Sequence, residues 1–187
     1  MTTQVDGRAG PLGTLLSASV ILGLLVSCGG GSSDATKPSS KPAVPRFELR
    51  SPDFLGGTIP QAYSCKGSGI SPEVTWRGVP AAAKELALVV IDPDAHDLVH
   101  WIVTAIPVRS PHLPQGQVPA GLTQANNSVG KPGWIPPCPP SGRHHYQFTL
   151  YALSRSPGVR AGEQPADALD AVKRVAFAQA GFTATYP

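Results

Sequence analysis

Residues 86–92 read Leu-Ala-Leu-Val-Val-Ile-Asp, a continuous apolar run that ends in a carboxylate. A short apolar run rich in Val indicates a strand that is buried on both faces. A second apolar run, Leu98 to Ile106, follows closely and stops at Pro107. These two runs predict a pair of strands in the middle of the chain, and the rest of the fold is built around them.

Alternating patterns predict further strands on either side of this centre. From His145 to Leu153 the chain alternates, with Tyr146, Phe148 and Leu150 on one face. Phe47 to Arg50 alternates in the same way and predicts a first strand. Proline and glycine are dense, with 21 and 20 residues respectively, and this density favours short strands joined by turns.

A helical pattern occurs only near the C-terminus. Pro165 suits the first position of a helix, and Gly181 suits the position just past its end. Three apolar residues between them share one helical face: Leu169, Val172 and Ala176. Phe182 to Tyr186 would then form a closing strand. The sequence therefore predicts a mainly β fold, an antiparallel β-sandwich with a C-terminal helix.

The N-terminal residues 1–27 have the features of a secretory signal peptide. Arg8 precedes an uncharged, mostly apolar stretch from Pro11 to Val26, which is too short for a typical spanning helix. The stretch ends in Ser27-Cys28, and small residues before a cysteine resemble the lipobox of bacterial lipoproteins. We therefore expect a diacylglycerol on Cys28 and an exported protein anchored on the extracytoplasmic side of the cell membrane.

Residues 28–45 are mostly Gly, Ser, Lys and Pro, a composition typical of a flexible tether. Residues 46–187 then form one domain, a length suited to a single core. The whole chain carries a formal charge of +3, without a basic stripe or a lysine and arginine cluster. This charge pattern argues against nucleic acid as a partner.

Two cysteines remain once Cys28 is assigned to the lipid, Cys65 and Cys138. In an exported domain two such cysteines can form a disulfide. Two buried free thiols are an equally good interpretation of the sequence alone.

Two segments place ionisable groups beside the predicted strands, where proline-fixed loops can hold a site. The first is Asp92-Pro93-Asp94-Ala95, which is followed closely by His100-Trp101. The second is the proline-rich stretch 136–142, which is followed by His144-His145-Tyr146. His144 and His145 would face opposite sides of an extended strand, so only one of them can enter a common site.

From Phe47 to Tyr186 the chain resembles the phosphatidylethanolamine-binding proteins, in their bacterial Raf-kinase-inhibitor-like branch. Several pieces match in order, and together they are specific: Ser71-Pro72-Glu73-Val74-Thr75-Trp76, Asp92-Pro93-Asp94-Ala95, His100-Trp101, Pro137-Cys138-Pro139-Pro140-Ser141-Gly142 and Leu150-Tyr151-Ala152-Leu153. The resemblance implies a β-sandwich with a small surface cavity for anions such as a phosphorylated head group. It also implies that the Cys65 and Cys138 blocks lie near the mouth of this cavity.

The residues that the resemblance assigns to the cavity are Asp92, His100, His144 and Tyr146, with Pro139 and Pro140 in its wall. Imidazoles and a phenol can donate hydrogen bonds to an anion, and a neutral imidazole still donates one. A buried structural histidine is the alternative interpretation of His100, and core packing is the alternative for Tyr146.

The chain departs from the family at the rim of the cavity. His96 stands where the family usually has proline, so a differently shaped loop is expected. His145 stands where the family usually has arginine, so its pair with Asp94 should be weaker and pH-dependent. The link from Asp94 to His100 is also very short.

The leading hypothesis is a binding module, not an enzyme: a membrane-tethered domain that takes a small anionic ligand and could modulate another protein. The alternative is a metal-dependent hydrolase using Asp92, His100 and His144. The sequence contains neither a metalloprotease motif nor a nucleophile elbow, and no cofactor is expected. Inhibition of a peptidase, known among relatives, is a third class for which no inhibitory loop is evident.

Overall fold

Two antiparallel sheets and one helix make up residues 45–187, the part of the chain that the computed structural model describes. The three-stranded sheet has the order β1 (Glu48–Arg50), β2 (Val74–Arg77), β5 (His112–Leu113). The five-stranded sheet has the order β6 (Thr123–Gln124), β4 (Leu98–Ile106), β3 (Glu85–Asp92), β7 (His144–Leu153), β8 (Ala176–Tyr186). Helix α1 spans Pro165–Val175. The predicted signal peptide, Cys28 and the tether up to residue 44 lie outside the described residues.

Strand β3 lies at the centre of the larger sheet and is buried on both faces, as its apolar run predicts. Leu86, Leu88 and Val90 point into the core between the two sheets, where each is fully buried. The alternate residues Ala87 and Val89 pack on the opposite face, against residues of α1. A strand with two apolar faces needs a layer on each side, which the second sheet and the helix supply.

Strand β7 pairs with β3 on one side and with β8 on the other. Its alternation is confirmed, because Tyr146, Phe148 and Leu150 are buried in the core between the sheets. Phe148 also stacks on Phe182 of β8, with ring centroids 4.7 Å apart. The predicted fold class, antiparallel β with one helix, is therefore confirmed.

The C-terminal boundary of the helix was predicted wrongly. Helix α1 starts at Pro165 as expected, but it ends at Val175, and β8 already begins at Ala176. Gly181 consequently lies inside a strand opposite Thr149, where a Cβ atom would come within 2.6 Å of the Phe148 carbonyl oxygen. Backbone pairing with β7 extends through this segment and overrides its helical spacing.

The antiparallel order brings three strand ends to one edge of the larger sheet. Asp92 is the last residue of β3, and it lies opposite Leu98 at the start of β4. His144 is the first residue of β7, the other neighbour of β3. The two sequence segments that carry ionisable groups therefore meet at this edge. Among residues 45–187, no helix is long and apolar enough to cross a membrane.

Candidate functional site

A cavity of about 150 Å³ opens at this edge of the sheet. It is lined by Asp92, Ala95, Leu98, His100, Ile135, Pro136, Cys138, Pro139, Pro140, His144 and Tyr146. The structure thus brings together all six residues that the resemblance assigned to the cavity. None of the lining residues is a lysine or arginine, so histidines are the only side chains in the lining that can carry positive charge.

Asp92 organises the floor of the cavity although its own side chain is buried. One carboxylate oxygen, Oδ1, accepts hydrogen bonds from the backbone N–H groups of Asp94 and Ala95, at 2.9 and 3.2 Å. The other oxygen, Oδ2, lies 2.7 Å from Nδ1 of His144. A buried carboxylate with both oxygens bonded is satisfied within the protein and fixes its neighbours in place.

The hydrogen bonds of the two histidines determine which nitrogen of each ring is protonated. His144 Nδ1 meets a carboxylate oxygen, and His100 Nδ1 lies 2.7 Å from the carbonyl oxygen of Ile135. Both partners can only accept, so each Nδ1 must carry a hydrogen and donate it. In a neutral ring the remaining nitrogen, Nε2, is then a bare acceptor. A neutral imidazole therefore offers the cavity no donor, and its one hydrogen bond goes to the protein instead.

Burial lowers the pKa of His100, which is only 4% exposed. The bond to the Ile135 carbonyl and the nearby Asp92 carboxylate act in the opposite direction, but burial outweighs them. The sequence could not decide between these two influences. His100 is therefore neutral near pH 7 in the absence of ligand, with Nε2 as an acceptor.

Tyr146 supplies the cavity with a phenolic group that stays protonated. Burial raises its pKa strongly, and the Asp92 carboxylate raises it further because a phenolate beside it would be repelled. The phenol ring meets the His100 ring edge to face, with centroids 5.1 Å apart. Tyr146, which is 1% exposed, therefore both packs in the core and lines the cavity.

One wall of the cavity is the proline-rich segment 136–140. A disulfide between Cys65 and Cys138 joins this wall to the loop that follows the 3₁₀ turn Gln61–Tyr63, with the two Cα atoms 5.4 Å apart. The backbone N–H of Cys65 also donates to the Pro137 carbonyl oxygen at 3.0 Å. Of the two interpretations that the sequence left open, the structure has the disulfide.

A second acid–histidine pair lies at the rim, where the chain departs from the family. One oxygen of Asp94 accepts from the backbone N–H of His145 at 2.6 Å and lies 2.8 Å from its Nδ1. These two bonds lower the pKa of Asp94 below its ordinary value. His145 points away from the cavity, as the alternation of the strand predicts, and His144 points into it.

The link between Asp94 and His100 turns through two consecutive residues in the left-handed region. His96 and Asp97 both have φ of 56°. Proline could not replace His96 in this conformation, because its ring fixes φ at about −65°. The departure from the family thus corresponds to a loop of different shape, and Leu98 immediately after it lines the cavity.

Residues 45–187 contain no group of three His, Cys, Asp or Glu side chains placed to hold a metal ion. The alternative of a metal-dependent hydrolase requires Asp92, His100 and His144 as metal ligands. In the structure the Nδ1 atoms of both rings and both Asp92 oxygens are engaged in hydrogen bonds within the protein.

Several lining groups could not be identified from their side-chain types. Ala95, Leu98 and Pro136 contribute apolar surface, and Ile135 contributes the carbonyl that fixes the His100 ring. A backbone carbonyl leaves no signal in a sequence. The proline-rich stretch beginning at residue 136 and its match to the family indicated a structured segment, but not this carbonyl.

Comparison with known proteins finds a family match over nearly all of the described chain. Residues 50–187 match the family described as phosphatidylethanolamine-binding protein. LppC of Mycobacterium tuberculosis, which is named as a candidate lipoprotein, is 40% identical over 196 residues, covering 94% of this chain and 95% of LppC. The UPF0098 protein of Methanothermobacter thermautotrophicus is 40% identical over 137 residues, covering 70% of this chain and 91% of that relative.

Two crystal structures are similar to the described domain. YbcL of Escherichia coli, described as a new member of the mammalian PEBP family, superposes with a TM-score of 0.70 at 30% identity, covering 75% of this chain and 97% of YbcL. A PEBP homologue from Chlamydia trachomatis gives a TM-score of 0.69 at 36% identity, with the same coverage of 75% and 97%.

Proposed function

The chain belongs to the phosphatidylethanolamine-binding protein family, and from this premise we propose that its cavity binds the oxyanion of a small ligand such as a phosphorylated head group. One observation supports the proposal: His100 and His144 lie in the same cavity, and the Nδ1 atom of each ring is hydrogen-bonded to another group of the protein. Each ring therefore has only Nε2 left for a ligand in the cavity that both line.

Such a cavity recognises an oxyanion only together with protons. A fully ionised oxygen needs a donor, so it is bound only if an imidazole takes up a proton to become a cation. A monoanionic phosphate brings its own hydroxyl, which can donate to a bare Nε2. We therefore expect phosphate monoesters in their protonated form to be preferred over fully ionised anions of similar size.

The size of the cavity limits how much of a ligand it can hold. At about 150 Å³ it is smaller than the roughly 300 Å³ at which pockets for drug-sized molecules begin. Apolar groups such as Leu98, Pro139 and Pro140 form much of its lining. A phosphate group with one or two attached carbons suits these dimensions, and the rest of a phospholipid would remain outside.

The proposal includes a location at the membrane. Its support is the N-terminal pattern ending in Cys28 and the 40% identity with LppC, a relative named as a candidate lipoprotein. A tether of 28–45 would hold the domain within roughly 25 Å of its anchor on average. At this distance lipid head groups, soluble phosphate compounds and a protein partner outside the cytoplasm would all be within reach of the domain. Cys28→Ser should release the protein from the membrane fraction, and unchanged membrane association would refute the anchor.

Isothermal titration calorimetry with three probes tests the proposed ligand class. Phosphoethanolamine and inorganic phosphate carry an ionisable proton near neutral pH, whereas sulfate is fully ionised there. At neutral pH we expect the two phosphates to bind and sulfate to bind only with proton uptake, seen as a heat that depends on the ionisation enthalpy of the buffer. Equal sulfate and phosphate affinities without proton uptake would contradict the assignment of Nε2 as a bare acceptor.

A further inference from the structure

We propose that the Cys65–Cys138 disulfide is a site of reversible thiol–disulfide exchange, which a dithiol reductant opens to release the proline wall of the cavity. Wall release is independent of what the cavity binds, and only its effect on affinity rests on the proposed function. The proposal is carried by three features of the described residues: the exposure of the two half-cystines, the weak attachment of the wall and the firm attachment of the loop on the other side.

Both half-cystines lie on the surface, although the wall that they secure reaches into the site. Cys65 and Cys138 are each exposed, and Cys138 also contributes to the cavity lining. Thiol–disulfide exchange requires in-line approach of a thiolate to a sulfur, so exposure is its first condition. Exposed disulfides are more often labile or regulatory than buried ones.

The wall has few hydrogen bonds to the rest of the domain. Pro136, Pro137, Pro139 and Pro140 have no backbone N–H, so the segment cannot join a sheet as a donor. Across 136–143, the bond from Cys65 N–H to the Pro137 carbonyl is the one backbone–backbone hydrogen bond among the described residues. Backbone hydrogen bonds otherwise hold the segment only at its two ends, where Ile135 N–H donates to the His100 carbonyl and β7 starts at His144, while packing buries Pro137 in between.

The loop that carries Cys65 is much more firmly held. The Ser64 hydroxyl contacts the Tyr186 hydroxyl and the Gln61 carbonyl oxygen, both at 2.8 Å. Backbone bonds at 3.0 and 3.1 Å close the turns at Ser64 and Gly67. This asymmetry determines what reduction does: the Cys65 loop keeps its conformation, while the wall that bears Cys138 gains freedom.

The exchange balances as a two-electron transfer. A thiolate of the dithiol attacks one sulfur of the disulfide, the other sulfur leaves as a thiolate, and a mixed disulfide forms. The second thiol of the reductant then attacks that mixed disulfide and expels the remaining cysteine. The protein gains two electrons and two protons as two thiols, and the dithiol becomes a cyclic disulfide.

Limited trypsin digestion of the full-length protein tests the release directly. Arg143 lies in the exposed stretch between the wall and β7, and Lys173 and Arg174 in α1 provide internal control sites. After dithiothreitol treatment we expect cleavage after Arg143 to accelerate by about tenfold or more, because local opening governs the rate. Cleavage within α1 should not change. A Cys65→Ser/Cys138→Ser variant should be cleaved rapidly after Arg143 with or without reductant.

Three results would overturn the proposal. One is that alkylation and mass measurement find the disulfide intact after reductant treatment of the folded protein. Another is complete reduction with an unchanged rate at Arg143. The third is acceleration at Lys173 and Arg174 as well as at Arg143, which would mean that the bond supports the whole fold. Titration of both redox forms with inorganic phosphate separates the two ideas. If reduction releases the wall but neither redox form binds phosphate detectably, the exchange site is supported and the anion cavity is refuted.

Discussion

Two acid–histidine pairs stand side by side at the same sheet edge, and their environments differ sharply. Asp92 and His144 form the inner pair and Asp94 and His145 the outer pair, with Nδ1 to Oδ2 distances of 2.7 and 2.8 Å. The side chains of the inner pair are 3% and 15% exposed, whereas those of the outer pair are 41% and 52% exposed. The same bond is thus made once in a low dielectric environment and once in contact with water.

This difference assigns different work to the two pairs. In the buried pair a lost partner leaves an unsatisfied group, so the bond determines the orientation of His144 toward the cavity. In the exposed pair water can replace either partner, so the bond only stabilises the link from Asp94 to His100 at the rim of the cavity. The inner pair should therefore control binding and the outer pair should hardly affect it.

The largest effect is expected for Asp92→Asn. The amide presents only one acceptor oxygen, so either the N–H groups of Asp94 and Ala95 or the N–H at His144 Nδ1 loses its acceptor. We expect a loss of about 2–3 kcal/mol in the free energy of unfolding, together with weakened phosphate binding. Urea denaturation and calorimetry measure the two effects. Asp94→Asn is the matched control, with a much smaller shift in urea midpoint; equal losses for both variants would abolish the distinction between the pairs.

Removing a cavity imidazole should reduce affinity without unfolding the protein. His100→Ala and His144→Ala should each cost on the order of 1.5–3 kcal/mol in phosphate affinity at mildly acidic pH, the size of a hydrogen bond to a charged group. His145→Ala and His112→Ala are controls, because neither ring lines the cavity. Calorimetric titration of the four variants with inorganic phosphate measures these affinities. If His100→Ala and His144→Ala bind phosphate as tightly as the wild type, the assignment of both residues to the cavity is wrong.

A smaller effect is expected on the pH dependence of stability. Because burial lowers the pKa of His100, this side chain takes up a proton at a higher pH in the unfolded chain than in the folded protein. The stability that the fold gains from a neutral His100 is fully present above pH ~6.5, the pKa of a histidine in the unfolded chain. It is lost as the pH falls through the lower pKa of His100 in the folded protein. Urea midpoints measured above and below that value should differ less for His100→Gln than for wild type. His112→Gln should retain the wild-type difference, and a wild-type difference in His100→Gln would contradict the burial argument.

The smallest effect is expected for His145→Arg, which restores the residue usual in the family. Arginine can keep the bond to Asp94 and remains charged at every accessible pH. Phosphate affinity at acidic and neutral pH should therefore match the wild type. The bonds from His145 hold the pKa of Asp94 low and stabilise the fold above the unfolded pKa of that carboxyl, an effect lost as pH falls. An affinity change as large as that of His144→Ala would show that the rim acts on the cavity.

The sequence by itself determined the strands at the centre of the fold and the residue types of the site. The apolar run 86–91 and the alternation from Tyr146 to Leu150 are local patterns, and burial follows from them directly. The motifs around Asp92, His100 and His144 indicated a cavity only through the resemblance to a known family. The strand patterns can be recognised because each depends on side chains that are near one another in the chain.

Only the tertiary structure decided the end of the helix, the pairing of the cysteines and the protonation pattern of the site. Residues 176–181 have helical spacing, yet pairing with β7 makes them a strand. The Ile135 carbonyl and the Asp92 carboxylate fix the two imidazoles from positions 35 and 52 residues away. Hydrogen bonds across such separations depend on where the backbone runs, and a sequence pattern carries no record of that path.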